Sequence, residues 1–203
     1  MKLDIPENAT EEQMSALKEQ WKQHGHYNET DNIVTETNKA KTNVDGDVKD
    51  TNQVTTKIEG PEKTVSDSDE TNVKKNTVRS LADDWTYSIT QKIAKNADEK
   101  YASFAFKDSI EQCMKINSVK VKADNGKDVT SWFDVSTVGN EVKATLKNPG
   151  SNDEFYKNNS YTMEINVKMD VPENATEEQL KSLRDRWKEH GHYTEDQKNC
   201  KRI

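Results

Sequence analysis

The sequence predicts a mainly β protein, a β-sandwich with a short surface helix repeated near both ends of the chain. Two observations lead to this prediction. Short segments in which apolar and polar residues alternate follow one another through residues 73–169, separated by turn residues, as in antiparallel sandwiches. A segment with helical spacing occurs twice, at 4–30 and 170–196, and about 17 of its 27 aligned positions are identical at an offset of 166.

The helix of the first copy is predicted over residues 10–24. Thr10 is a favourable N-cap, Gln13 completes a capping box, and Gly25 stands where a C′ glycine ends a helix. The apolar residues form one narrow stripe at helical spacing, so the helix should lie on the surface of another element. The same signals recur in the second copy and predict a helix over 176–190.

The repeat also divides the chain. Residues 1–60 are predicted to be the C-terminal tail of a preceding repeat unit, with the helix followed by mostly extended or mobile chain. Residues 61–203 are predicted to be a sandwich unit that lacks its final strand. Residues 53–58 are interpreted as the final strand of the preceding unit and 63–65 as the first strand of the next. At an offset of 166, the counterpart of that final strand falls beyond residue 203, and the chain is expected to be a fragment of a tandem array.

The strands of the second unit are predicted from alternation and turn chemistry. Residues 85–89 alternate apolar side chains with Ser and Thr, which indicates a half-buried strand. Asp-Asn-Gly at 124–126 and Gly-Asn at 139–140 are typical of hairpin turns. The predicted strands of the sandwich are 63–65, 85–89, 101–106, 116–121, 132–135, 141–146 and 158–169.

Composition excludes several classes of protein. The 203 residues carry 30 basic and 37 acidic side chains, a net charge of −7, with no basic cluster, so nucleic acid is not an expected partner. No segment approaches the ~20 apolar residues of a membrane helix, and no signal peptide or wall-anchor motif is present, so membrane insertion is not expected. The sequence has no Gly-rich phosphate loop and no Ser/His/Asp set, so a conventional enzyme is not expected.

All four histidines lie in the repeated segment, as His-Gly-His at 24–26 and at 190–192. Such a pair can present two imidazoles to a metal, but no third ligand is specified nearby. The ordinary interpretation is a helix terminus, where His complements the negative end of the dipole. Neither a metal nor a cofactor is therefore expected, and the role of these segments stays open.

One set of residues can carry out chemistry without a cofactor. Lys63 opens the second unit, Asp108 follows an apolar run, and Asn52 lies in the final strand of the preceding unit. In an apolar interior, desolvation lowers the pKa of a lysine and raises that of a carboxylic acid, which can then polarise an asparagine carboxamide while an amide forms and ammonia leaves. On composition alone, a surface lysine, a turn aspartate and a strand asparagine with no shared role are the stronger interpretation.

Several segments together resemble a known family. They are Pro-Glu-Lys-Thr-Val-Ser-Asp-Ser-Asp-Glu at 61–70, Trp-Thr-Tyr-Ser-Ile at 85–89, Phe-Lys-Asp-Ser-Ile at 106–110, Gly-Lys-Asp-Val-Thr-Ser-Trp-Phe at 126–133 and the closing strand at 161–169. In order and spacing they resemble the isopeptide-forming Ig-like domains of Gram-positive cell-surface adhesins, of the antigen I/II C-terminal-domain and aggregation-substance type. The resemblance covers about 61–183 and implies an Ig-like sandwich.

The resemblance also implies roles for three residues. Lys63 matches the amine donor of the first strand, and Asp108 matches the catalytic acid of isopeptide formation. Asn52 matches the acceptor, but it belongs to the preceding unit, and the acceptor that would serve Lys63 falls near position 218 by the repeat offset.

The function implied by this resemblance is structural. The chain is expected to be a repeat domain of a bacterial cell-surface adhesin or stalk, extracellular or in the cell wall, with autocatalytic Lys–Asn isopeptide stabilisation in the parent protein. Its expected partners are neighbouring repeat units and, through the parent adhesin, a host surface protein or glycan. The alternative is a module that binds a ligand or protein directly, which predicts an exposed aromatic or apolar patch.

Overall fold

The computed structural model describes residues 9–28, 33–78, 80, 82–93, 100–111, 113–172 and 174–189. The chain forms two compact units, Met1–Pro61 and Glu62–Ile203. All strand pairs in the described residues are antiparallel. The mainly β fold class predicted from the sequence is confirmed.

The N-terminal unit begins with the predicted helix. Its described elements are α1 (Glu11–Gln23), β1 (Tyr27–Asn28), β2 (Ile33–Asn38), β3 (Lys41–Val44), β4 (Asp47–Asp50) and β5 (Val54–Glu59). The capping box is present, because the Thr10 side chain accepts a hydrogen bond from the Gln13 backbone N–H and Gln13 Oε1 accepts one from the Thr10 N–H. Gly25 has φ +74°, the left-handed conformation that favours glycine after a helix.

The strands of the N-terminal unit form two small sheets. β3 and β4 make a hairpin whose turn residues, Asp45 and Gly46, both have positive φ, as a tight hairpin turn requires. β1, β2 and β5 form a sheet in that order, so β5 is an edge strand. On β5, Val54 is 55% exposed and Ile58 is 43% exposed. These two apolar side chains are therefore accessible to solvent in the N-terminal unit.

The second unit contains the predicted sandwich. Its strands are β6 (Glu62–Ser66), β7 (Asp84–Lys92), β8 (Ala105–Ser109), β9 (Met114–Ala123), β10 (Phe133–Val138), β11 (Glu141–Leu146) and β12 (Ser160–Met169). One sheet has the order β6-β7-β12-β9 and the other β10-β11-β8. We call these two sheets the body.

The core of the body fills the space between its two sheets. Tyr161, Met163, Ile165 and Val167 occupy alternate positions of β12 and are completely buried, because alternate residues of a strand face the same side. They belong to one apolar cluster with residues of the opposite sheet such as Val142. The two sheets are thus held together by side-chain packing, as in a sandwich.

Aromatic rings close one end of this core. Phe155 and Tyr161 stack with their ring centroids 4.3 Å apart. The Tyr161 hydroxyl donates to the Phe155 carbonyl oxygen at 2.7 Å, and burial raises the pKa of Tyr161 to about 12. The strand predicted at 101–106 begins only at Ala105, because Phe104 lies in a loop whose ring packs on Phe155 with centroids 5.1 Å apart.

The repeated helix follows the body as α2 (Glu177–Glu189). Its capping box is present, with hydrogen bonds between Thr176 and Gln179 in both directions. Leu183, in the apolar stripe of α2, is only 4% exposed, as expected of a helix that packs through this stripe. The second His-Gly-His segment, at 190–192, lies outside the described residues.

A pH-dependent contribution to folding is expected from Asp128, after β9. Its carboxylate accepts hydrogen bonds from the Thr130 hydroxyl (2.6 Å) and backbone N–H (2.9 Å), which lower the pKa of Asp128 from 3.8. A lowered folded-state pKa stabilises the fold above the unfolded value, and this stabilisation is lost as the pH falls through the folded value. Wild type should therefore lose melting temperature faster than Asp128→Asn below pH ~4.

Circular dichroism melts between about pH 2 and pH 5 measure this difference. Asp134→Asn is the matched control, since Asp134 lies on the same body in an exposed ion pair with Lys147, and such pairs contribute little to stability. Identical acid profiles for wild type and Asp128→Asn would contradict the assignment.

Candidate crosslinking site

Lys63 and Asp108 lie together in the body, although 45 residues separate them in the sequence. Lys63 Nζ donates a hydrogen bond to Asp108 Oδ2 at 2.6 Å. Lys63 is on β6, at the edge of the four-stranded sheet, and Asp108 is on β8, at the edge of the three-stranded sheet. The contact therefore bridges the two sheets of the sandwich.

Strand alternation explains why both side chains turn toward the interior. Val65, two residues after Lys63, is 6% exposed and belongs to the core. Asp108 lies between the core residues Phe106 and Ile110, which are 4% and 5% exposed. Because residues two apart share a face, the lysine and the aspartate occupy core-facing positions at one side of the sandwich. An ion pair at such positions is unusual in a purely structural core.

An aromatic ring also contacts the lysine. Lys63 Nζ lies 4.9 Å from the centroid of the Tyr87 ring on β7, a cation–π distance. The second oxygen of Asp108, Oδ1, accepts a hydrogen bond from the Ser109 backbone N–H at 3.0 Å. Tyr87 was predicted only as a strand residue. Its alternation with Trp85 and Ile89 indicated its face but not its position beneath Lys63.

The site is open to solvent on one side. The Lys63 side chain is 47% exposed, whereas that of Asp108 is 14% exposed. Amide formation by a lysine needs an apolar, enclosed setting, which half-exposed Lys63 does not have in this arrangement. The body thus brings a lysine amine and a carboxylate into contact at a site that is open to solvent on one side.

Two strand edges border this opening, and among the described residues one of them is paired and the other is not. On β6, the outer side of Val65 is occupied, because Val65 and Val73 exchange two backbone hydrogen bonds of 2.8 and 3.0 Å. On β8, Leu146 N donates to the Phe104 carbonyl at 2.9 Å, which assigns the even-numbered residues of β8 to pairing with β11. Ala105 and Lys107 therefore direct their backbone N–H and C=O groups to the open edge of β8.

The third predicted residue, Asn52, lies in the N-terminal unit. It is exposed and lies outside β5, which begins two residues later at Val54, and its backbone carbonyl accepts a hydrogen bond from the Thr51 hydroxyl at 3.0 Å. The observed contacts join Lys63 to Asp108 within the body, and Asn52 belongs to the other unit. The acceptor role of Asn52 stays a prediction.

A residue that sequence reasoning missed lies opposite Ile110, which follows Asp108 by two residues. Asn140 is in the β10–β11 turn, where its carbonyl accepts from the Ile110 N–H at 2.8 Å. Its side-chain Nδ2 is buried, and among the described residues it is the one buried side-chain N or O atom without a hydrogen-bond partner. Only the turn signal of Gly-Asn was visible in the sequence, and that signal does not reveal a side chain turned into the core.

The first His-Gly-His segment makes ordinary contacts. His26 Nδ1 lies 3.5 Å from Glu36 Oε1 and 3.4 Å from the Thr35 carbonyl oxygen. Within the described ranges, no group of three or more His, Cys, Asp or Glu side chains is placed to hold a metal ion. The expectation of no metal and no cofactor stays a prediction.

The geometry agrees with a match to a known family. The family model of the cell surface antigen I/II C2 terminal domain matches residues 61–198. The chain belongs to this family. The match begins one residue before β6 and includes the whole body and α2, so the antigen I/II C2 domain is the part of the chain that carries Lys63 and Asp108.

The chain is also similar to parts of solved pilin structures. The chain is similar to the major pilin BcpA of Bacillus cereus, with 18% identity and a TM-score of 0.45 over 68% of this chain and 39% of that chain. It is similar to the major pilin SpaD of Corynebacterium diphtheriae, with 20% identity and a TM-score of 0.40 over 71% of this chain and 39% of that one.

The pilus backbone RrgB of Streptococcus pneumoniae is a further match, with 14% identity, a TM-score of 0.36, and coverage of 54% of this chain and 27% of that chain. The chain therefore spans well under half of the length of these pilins. No curated protein sequence matches the chain. Membership of the family rests on the family model. In the part of the chain that the structure describes, no helix is long and apolar enough to cross a membrane.

Proposed function

We propose that the chain is a structural repeat domain of a Gram-positive cell-surface adhesin or stalk, in which Lys63 and Asp108 form half of an autocatalytic crosslinking site. The other half is the asparagine that the repeat places after α2, the counterpart of Asn52. The observation that carries the proposal is the 2.6 Å contact between Lys63 Nζ and Asp108 Oδ2 across the two sheets.

The reaction joins an amine to a carboxamide. The neutral amine of Lys63 attacks Cγ of the asparagine, a C–N bond forms, and the Cγ–Nδ2 bond breaks. Asp108, in its protonated form, gives its proton to the carboxamide, whose nitrogen leaves as ammonia. The resulting carboxylate, in contact with Nζ, takes one proton from the attacking amine and becomes an acid again. No oxidant, cofactor or metal is consumed. Holding the amine and acid in contact supplies most of the advantage, since it converts the reaction into an intramolecular one.

A further strand that completes the sandwich would cover Lys63 and Asp108. The positions of Asn52, Val54 and Ile58 differ by even numbers, so these three residues share one face of an extended strand. A strand that buries Val54 and Ile58 against the core therefore also turns its asparagine inward. Enclosure then favours the neutral amine and acid over the charged pair, because burial penalises the charged forms.

The resulting domain suits a mechanical role. A covalent bond between the first and last strands fixes both ends of the sandwich, so tension on the chain cannot peel either strand from its sheet. This supports a stalk in which units in series hold a binding region away from a cell surface. Membership of a family of cell surface antigens supports the same location.

The alternative, a direct binding module, is favoured by one feature. A groove of about 450 Å³ runs over the outer face of the four-stranded sheet and is lined by polar side chains, among them Ser88, Thr90 and Thr162. In the described part of the body, however, the exposed large apolar side chains are Val135 and Val138, and the aromatic residues are all buried or half-buried. The apolar patch that a binding module predicts is thus small, and the structural role has the better support.

The test is to restore the missing strand. Since Ile203 corresponds to position 37 of the repeat, appending a copy of residues 38–60 continues the unit and supplies a second copy of Asn52. The intact mass of this extended chain should be about 17 Da below the value calculated from its sequence, the mass of one ammonia. Asp108→Ala and Lys63→Arg in the extended chain should restore the calculated mass.

A full calculated mass for the extended chain itself, after prolonged incubation as a folded protein, would reject the crosslinking part of the proposal. Folding is verified on the same sample by its thermal transition, so that failure to react is separated from failure to fold.

A further inference from the structure

We propose that the open edge of β8 is a docking site for β5 of a second copy of this chain, which adds as an antiparallel strand with its Asn52 opposite Asp108. The docking is an interaction between two copies, and only the crosslink that can follow it rests on the proposed function. Every copy carries both partners, the donor strand in its N-terminal unit and the acceptor edge in its body.

The backbone of β5 is available for such pairing. β5 is the edge of the β1-β2-β5 sheet. Thr35 on β2 donates to the His26 carbonyl at 2.6 Å, on the side of β1, so its register partner Lys57 is in a non-hydrogen-bonded pair. Lys57 and Thr55 therefore direct their N–H and C=O groups away from β2. The strand can add to a second sheet while it stays in its own.

When the free backbone groups of β5 and β8 pair with each other, the side chains of the two strands also face the correct sides. On β8 the odd-numbered residues present their backbone groups at the open edge, and the even-numbered Phe106 and Asp108 face the core. On β5 the odd-numbered residues likewise present theirs, and the even-numbered side, which includes Val54 and Ile58, is apolar. Antiparallel pairing of odd with odd residues, with Asn52 opposite Asp108, then places Val54 opposite Phe106 and turns it to the core. The paired segment is 52–55 against 105–108, and Ile58 lies beyond the start of β8 at Ala105.

The direction and the choice of edge follow from where Asp108 lies. β8 continues for only one residue beyond Asp108, so a strand that begins there at Asn52 has neighbours only if it runs antiparallel, toward Ala105. The edge of β6 is less suitable, because Val73 already pairs with Val65 along the direction in which a parallel strand would have to run. In the antiparallel register Lys57 does not meet Lys107, so no like charges face each other.

Connectivity makes a second copy the better donor. If Asn52 lies at Asp108, Glu59 lies about 23 Å farther along the added strand. The chain would then have to return to Lys63, which also contacts Asp108, through the four residues that follow Glu59. Four extended residues reach about 14 Å, so the return falls about 9 Å short before side-chain reach is counted. A separate chain has no such restriction, and head-to-tail addition can continue into longer assemblies.

Sedimentation velocity of the whole chain from about 2 to 200 µM tests the docking. We expect the weight-average mass to rise at least twofold across this range. Val54→Asp should abolish the rise, because its charge would be placed beside Phe106 at the edge of the core. Val48→Asp is the matched control: this valine is 54% exposed, against 55% for Val54, but it lies on the β3–β4 hairpin, and its replacement should leave association unchanged.

A monomer throughout the range would overturn the proposal, as would equal loss of association in the hairpin control. A mixture of two variants then distinguishes non-covalent docking from formation of the crosslink. Asn52→Ala keeps the amine and acid, Lys63→Arg keeps the acceptor, and neither should crosslink alone. Their mixture should give a covalent dimer on denaturing gels and no longer products. Reversible association without that dimer would support the docking and reject the crosslinking proposed for the site.

Discussion

Replacing Phe106 with alanine is expected to lower the free energy of unfolding by about 3–5 kcal/mol, the usual cost of removing a buried phenylalanine. Phe106 is 4% exposed, and its ring lies in T-shaped contact with Phe104, with centroids 5.2 Å apart. Its centroid is 6.4 Å from that of Phe133 on β10, at the other edge of the same sheet. The loss is a large share of the stability of a small domain, which totals about 5–15 kcal/mol.

Urea unfolding followed by tryptophan fluorescence measures this effect. Val138→Ala is the control, because Val138 is an apolar strand residue that is 76% exposed, and its replacement should change stability by less than about 0.5 kcal/mol. A Phe106→Ala midpoint close to that of wild type would mean that the inward face of β8 is assigned wrongly. The position of Asp108 on the same face would then lose its support.

The second large effect concerns the crosslink itself. In the chain extended with residues 38–60, a bond from Lys63 to the second copy of Asn52 closes a loop of about 155 residues by the repeat offset. On the chain-entropy account used for disulfides, a crosslink over such a loop stabilises the fold by about 5 kcal/mol. We therefore expect the reacted extended chain to be more stable than its Lys63→Arg variant by roughly this amount.

Chemical unfolding of the two extended chains gives the difference. Asp108→Asn serves as a second uncrosslinked reference, since it keeps the shape of the aspartate and removes its proton-accepting role. Both variants should unfold at similarly low denaturant concentrations. Equal stability of crosslinked and uncrosslinked chains would contradict the idea that the bond contributes to mechanical strength.

Local signals in the sequence were reliable where one residue type decides the geometry. The capping box of Thr10 and Gln13 and the C′ glycine Gly25 predicted α1 to within one residue. The strand predicted at 141–146 matches β11, because the Gly-Asn turn fixes where that hairpin begins. In both cases the signal lies within a few residues of the structure that it specifies.

Other features depend on contacts that are distant in the sequence. The aromatic run at 101–104 is not a strand, because an apolar residue that packs from a loop looks the same as one on a strand. The covering of Val65 by Val73, the ring of Tyr87 beneath Lys63 and the buried amide of Asn140 are likewise set by the packing of the two sheets. The pairing of Lys63 with Asp108 was reached through family resemblance, since neither residue is distinctive alone.

In the proposed reaction, Lys63 is joined, with Asp108 as the acid, to an asparagine in the strand that follows the repeated helix. The most direct measurement is peptide mapping of the extended chain by tandem mass spectrometry, which locates the bond rather than only its mass. We predict a branched peptide in which Lys63 is joined to the second copy of Asn52, absent from Asp108→Ala. If Lys63 is recovered only in linear peptides, or is joined instead to Asn140 of the β10–β11 turn, the proposed reaction is contradicted.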